Sequence, residues 1–201
     1  MALLVSSCGG ASSEGDAETT DSTVVENEVI ETVVMDMTVD TATTVINWNN
    51  LSGDEIDHMG TVAALSGSVQ ITATGDEYEI TAGSLVVDMN SISEGSEKLV
   101  GHLKAEDFFN VNAFATTEFT FDRHEDGIVY GMANIIGKEL PIEAPVTVNV
   151  DGDNATLEVS QFELDFTALE MPFFVTEMAE APEEERHNPI IQFTATVNAM
   201  K

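Results

Sequence analysis

The chain has 201 residues, 43% of them hydrophobic, which suits one domain with a real core plus a tail. No apolar run reaches the ~18 residues of a membrane-spanning helix. Thirty-seven acids against six bases give a formal net charge of −31, which argues against nucleic acid or an anionic membrane surface as a partner.

At the N-terminus, Leu3, Leu4 and Val5 are followed by the small residues Ser6 and Ser7 and then by Cys8, the only cysteine. A lone cysteine cannot form an internal disulfide. The order resembles a bacterial lipoprotein cleavage box with Cys8 as the lipidated new N-terminus, although the leader over residues 1–8 is short and lacks a basic stretch. That resemblance implies a cell-envelope protein, periplasmic and anchored to the outer membrane through Cys8. From Gly9 to Asp40 there are nine acids and neither Lys nor Arg, and setting those nine aside leaves 28 acids against all six bases. Residues 9–32 are expected to form an acidic flexible tether, because their composition buries too little apolar area to offset the entropy of ordering. Val24, Val25, Val29 and Ile30 supply the one pattern there that suits a short helix or edge strand.

The folded domain is expected over residues 33–201. Val33, Met35, Met37 and Val39 alternate with polar or smaller neighbours and predict a first strand ending at an Asp40-Thr41 turn. Val45 to Trp48 is a second, with Ile46 and Trp48 on one face, and Asn49 to Asp54 has turn chemistry. A long strand follows from about His58 to Thr72, with a break at Gly67. Gly75-Asp76 marks a tight turn, Tyr78 and Ile80 alternate after it, and Leu85 to Ile92 is strand again. Leu99, Val100 and Leu103 then have helical spacing and run into Phe108 and Phe109, predicting a short helical lid near 96–110.

Beyond the lid the period returns to two. Phe119 and Phe121 alternate with Glu118, Thr120 and Asp122; Asp126-Gly127 signals a hairpin; and Ile128, Tyr130 and Met132 alternate on the next strand. Val146, Val148 and Val150 share a face up to the Asp151-Gly152-Asp153 turn. Leu157 and Val159 have one parity and Phe162, Leu164 and Phe166 the other, a phase change that predicts a β-bulge. Residues Thr167 to Pro189 form a long connection, apolar at Met171 to Val175 and acidic from Glu177 to Arg186, of the kind that serves as a lid or stays mobile. Ile191, Phe193, Ala195 and Val197 alternate in a last strand. Short alternating strands without intervening long helices indicate an all-β antiparallel sandwich or barrel.

Chemistry is sparse. None of His58, His102, His124 and His187 has a partner at metal-ligand spacing, so no metal site is expected. His124 sits among acids at a turn and reads as solvated, and His187 as a turn residue. There is no nucleophile elbow, the sole cysteine lies in the leader, and the glycines fall at turns without phosphate-cradling spacing. No catalytic residue and no cofactor are expected, and the protein reads as a non-enzyme.

Three stretches carry a resemblance. His102, Leu103, Lys104, Asp107, Phe108, Phe109 and Phe119 resemble the HLxSxDFFxxxxxPxxxF signature of the YceI-like family; Leu85 to Ile92 is similar to its VVDMNSI strand; and Val39 to Trp48, with His58-Met59-Gly60, resembles its opening. The Gly131 to Gly137 stretch has Ala133-Asn134 where the family has Leu-Thr, and Phe166 stands after Asp165 where the family often has Arg. Over roughly residues 37–200 the resemblance implies a lipocalin-like barrel of about eight strands that binds a polyisoprenoid, and the family suggests dimers. A barrel of that size is either filled by its own side chains or holds one small ligand. The expected ligand-binding residues are Trp48, Leu99, His102, Leu103, Phe108, Phe109, Phe119, Phe121, Tyr130, Met132, Phe162, Leu164, Phe166 and Phe193. The implied function is to bind and carry or store a long apolar molecule such as a polyisoprenoid or isoprenoid quinone. The alternative is a filled barrel that presents its acidic surface to a cell-envelope partner.

Overall fold

A computed structural model describes residues 31–53, 55–182 and 186–201. Cys8 and the expected tether up to residue 30, with its Val24–Ile30 pattern, lie outside the described residues, whereas Thr32 already opens the first strand.

Among the described residues nine strands make one antiparallel sheet: β1 Thr32–Val39, β2 Val45–Ser52, β3 Glu55–Thr74, β4 Glu77–Glu94, β5 Thr116–Glu125, β6 Ile128–Ile135, β7 Lys138–Asp151, β8 Asn154–Asp165 and β9 Ile190–Met200. A short helix, α1, covers Glu97–Leu103. From β3 to β9 each strand pairs with the next, and β1 and β2 close the ring. They do so by sharing one position. β1 pairs with the second half of β3 (Thr32 opposite Thr74) and β2 with its first half (Ile46 opposite Val62). Both also pair with β9, through Thr38 opposite Met200 and Val45 opposite Thr196. The result is a closed barrel with eight strand positions, as the family resemblance implies. Asp40 makes the handover: its carboxylate accepts from the Ala42 N–H at 3.0 Å and the Thr43 hydroxyl at 2.8 Å, which turns the chain without leaving the wall.

Period-two patterning decides the faces. Met35, Met37 and Val39 point into the barrel and are buried, as their alternation predicts. The phase change in β8 is a bulge: Val159 pairs with Ala195 and Phe162 with Phe193, three steps on β8 against two on β9. Asn49 and Asn50, expected in a turn, belong instead to β2. Their amides are satisfied across the sheet, Asn49 donating to Gln192 Oε1 at 2.8 Å and Asn50 to the Asn188 carbonyl at 2.7 Å.

The core has two levels. One end is plugged by Met35, Met37, Val69, Ile71, Ile80, Val129, Val146, Ala155, Leu157 and Ala199. The other holds Val87, Met89, Ile92, Leu103, Phe109, Ile135, Phe166, Leu169, Met171 and Ile191. Phe121, Val159 and Val197 touch both.

Candidate ligand-binding hollow

The interior between these levels is not filled. Beneath the lid lies a cavity of about 190 Å³, and deeper in the barrel a second of about 80 Å³. Ile46, Phe119 and Phe193 line both and so form the partition between them. The walls are almost wholly apolar. Phe119, Phe121, Phe162 and Phe193 face inward yet are only partly buried, because their rings border the cavities instead of meeting across them.

Two segments cap the upper cavity. The first is α1 and the turns after it. Ser96 caps the helix, its hydroxyl accepting from the Leu99 N–H at 3.4 Å, and Glu97 sits in the positive first turn. A seven-residue helix is marginal alone. The chain after it folds back and holds it, the Phe109 N–H donating to the Leu103 carbonyl at 3.1 Å and the Val111 N–H to that of Lys104 at 3.2 Å. The second segment runs from a 3₁₀ turn at Phe166–Leu169 through Phe173–Glu177 to Met178–Glu180. It is tied to the first by the Phe173 N–H, which donates to the Asp107 carbonyl at 2.9 Å. Aromatic contacts complete the joint: Phe108 lies 5.4 Å from Phe173 and 5.7 Å from Phe174, and Phe109 meets Phe166 edge-on at 5.9 Å. At the far side Lys138 Nζ donates to Glu170 Oε2 at 2.7 Å, and this hydrogen bond, with the lysine's charge, holds the Glu170 carboxyl below its ordinary range.

Few polar atoms reach the upper cavity. Trp48 and His102 both line it, and Trp48 Nε1 and His102 Nε2 are buried without a hydrogen-bond partner among the described residues. His102 Nε2 is 3.1 Å from Asp107 Oδ2 but is not aligned for a hydrogen bond to it. Gly60 makes room for the tryptophan: a Cβ there would fall 1.8 Å from the Ser93 carbonyl oxygen and 2.9 Å from Trp48 Cζ2. Such atoms can meet a polar head group at the mouth.

Eleven of the expected residues line the cavities. Trp48, Leu99, His102, Leu103, Phe108, Phe109 and Phe166 border the upper one, Phe121 and Phe162 the lower, and Phe119 and Phe193 both. Leu164 is buried in the core but borders neither. Tyr130 and Met132 are corrected: they alternate with the buried Val129, Ala133 and Ile135 and lie on the outer face of β6, where Arg123 stacks 4.0 Å from the centre of the Tyr130 ring. The reason is space. On β5 the bulky Phe119 and Phe121 stand opposite Ala133 and Gly131, so the inward parity of β6 must be the small one. A Cβ on Gly131 would fall 1.9 Å from the Thr120 carbonyl oxygen.

Other residues were not foreseen. Phe173 and Phe174 line the upper cavity; their signal is the apolar Met171 to Val175 run inside an acidic loop. His124, expected in a solvated turn, lies in β5 and accepts from the Ile80 N–H at 3.3 Å. His58 and His187 meet at the mouth with ring centres 6.2 Å apart, and both border the upper cavity. Asn50, itself buried, helps bring them together: its amide donates to the Asn188 and Ile190 carbonyls at 2.7 and 3.2 Å and pins the residues after His187 to β2.

No curated protein sequence matches the chain. Among solved structures it is similar to BcnA of Burkholderia cenocepacia, with 16% identity over 81% of this chain and 99% of that one, at a TM-score of 0.63. It is also similar to a polyisoprenoid binding domain from Saccharophagus degradans implicated in plant cell wall breakdown, with 12% identity over 82% and 97% of the two chains and a TM-score of 0.59. The YCEI protein of Campylobacter jejuni aligns with 14% identity over 67% of this chain and 81% of its own, at a TM-score of 0.53. These likenesses establish the barrel fold. The family model for the YceI-like domain matches residues 19–181, most of the chain, and the protein therefore belongs to the YceI-like family.

Proposed function

We propose that the protein binds one long apolar molecule, a polyisoprenoid or an isoprenoid quinone, inside the barrel and carries or stores it without chemical change. The observation that carries this reading is the set of inward-facing rings, Phe119, Phe121, Phe162 and Phe193, left partly uncovered around two apolar cavities. The polyisoprenoid-binding relative from Saccharophagus degradans supports the class of ligand. Each buried methylene contributes ~0.8 kcal/mol, so a long tail needs few polar contacts to bind tightly.

Size sets a condition. Cavities of about 190 and 80 Å³ are smaller than the roughly 300–1,000 Å³ of typical ligand sites. A long tail therefore enters by turning the Phe119 and Phe193 rings aside and joining the two spaces. Trp48 Nε1 and His102 Nε2 offer hydrogen bonds to a polar head at the mouth.

Organic extraction of freshly purified protein followed by mass spectrometry should recover a prenyl lipid. Phe119→Asp should abolish binding of a fluorescent prenyl probe, and full affinity in a folded Phe119→Asp variant would refute this placement. The Leu3 to Cys8 order supports a lipid-anchored position in the cell envelope. Metabolic labelling with a palmitate analogue should mark the full-length protein and fail on Cys8→Ser.

A further inference from the structure

Three potential metal ligands converge at the mouth of the upper cavity from places 129 residues apart in the chain. His58 Nε2 lies 3.5 Å from Asp57 Oδ2, and His187 Nδ1 lies 3.9 Å from the same oxygen. These separations exceed the roughly 2.7–3.2 Å of a hydrogen bond. They are close to a different length. With ligand atoms ~2.0–2.1 Å from a zinc ion, neighbouring corners of the tetrahedron stand about 3.4 Å apart. The three ligand atoms all lie within 4.8 Å of one another, so a small inward movement closes them on an ion.

The surroundings agree. A metal-bound histidine usually donates its other ring nitrogen to a carboxylate, which fixes the tautomer and the ring. Glu94 Oε1 stands nearest His58 Nδ1, at 3.6 Å and so also longer than a hydrogen bond, while the other oxygen of Glu94 is held by the Ser96 N–H. No lysine or arginine competes there among the described residues, for Arg186 is turned to the Ala179 and Ala181 carbonyls. Asn50 fixes the approach of the segment that bears His187.

We propose that Asp57, His58 and His187 bind a divalent transition-metal ion of the zinc class, with Glu94 orienting His58. Two imidazoles and one carboxylate suit zinc, nickel, copper or iron and not magnesium or calcium. With three protein ligands, a fourth position stays open to water or an oxygen donor, as in exchangeable zinc sites. Because His58 and His187 border the cavity, that position is within reach of whatever occupies the mouth. The site is independent of the lipid-binding reading, since its test uses the metal alone.

The full chain, stripped with a chelator and dialysed, is titrated with zinc by calorimetry in high salt and excess magnesium, which occupy the acidic surface. A single zinc ion per chain should bind saturably. Apo protein loaded with cobalt should show the intense visible absorption of a four-coordinate ion. His58→Gln and His187→Gln should each weaken zinc binding on the order of 100-fold, and Glu94→Gln roughly tenfold. His124→Gln should leave it unchanged. All of these side chains are partly exposed, and far-UV circular dichroism verifies that each variant keeps its barrel. Absence of saturable binding overturns the proposal, and so does zinc affinity or a cobalt spectrum that survives the His58→Gln, His187→Gln double variant.

Discussion

The two ends of this barrel obey the same inward parity and reach different outcomes. At the β1 end, methionines and β-branched aliphatics interdigitate around Ile71, which has no solvent exposure at all. Nearer the lid, Phe119, Phe162 and Phe193 project from the walls and border the cavities. Flexible or branched side chains adapt to irregular gaps. Phenyl rings are rigid plates with few allowed orientations, and pairs settle at ring separations of several ångströms, as the stacked Phe162 and Phe193 do at 5.6 Å. In this barrel the rings gather around the cavities, whereas Ile71, Met35 and Met37 border neither.

The contrast can be broken by truncating one residue at each level. Ile71→Ala removes packed methylenes from the plug and should cost about 2–5 kcal/mol, seen as an earlier urea midpoint. Phe119→Ala should cost clearly less than the ~3–5 kcal/mol of a fully packed phenylalanine, because part of its ring already faces a cavity. Equal losses would mean that the two levels are packed alike. Asn50→Ala sharpens the account of the lid end. It leaves two backbone carbonyls without their donor and should cost roughly 1–3 kcal/mol, with amide exchange quickening over residues 188–191 more than in the plug. The smallest effect belongs to Lys138→Met. Glu170 is fully exposed, so global stability should barely change. The folded-state carboxyl lies below its ordinary value, so the pair's contribution is present above the unfolded-state value and fades as acid protonates Glu170. Carbon-detected titration of Glu170 should move upward to the ordinary range in the variant.

Much of this architecture was legible in the residues. Alternation placed the strands, and the parity break between Val159 and Phe162 located the bulge. What alternation could not decide was β6, where both faces carry apolar residues. Bulk favoured Tyr130 and Met132, but the cross-strand partners of Phe119 and Phe121 required the small face inside. The lid was half visible. Leu99 to Phe109 has local helical spacing, whereas Phe173 and Phe174 join it only through a backbone bond to Asp107 and ring contacts between distant segments. The Asp57, His58 and His187 cluster was invisible for the same reason: ligand spacing along the chain says nothing about residues that a barrel closure brings together.

The sharing of one wall position by β1 and β2 has a consequence for synthesis. Both strands find their second neighbour only in β9, so Thr38 waits for Met200 and Val45 for Thr196. Until β9 emerges from the ribosome, the outer edges of β1, β2 and β8 are unpaired and open to strangers. Contacts this distant in sequence form late and slowly. The sheet therefore has no closed interior until β9 docks, and the last strand is what turns the wall into a container.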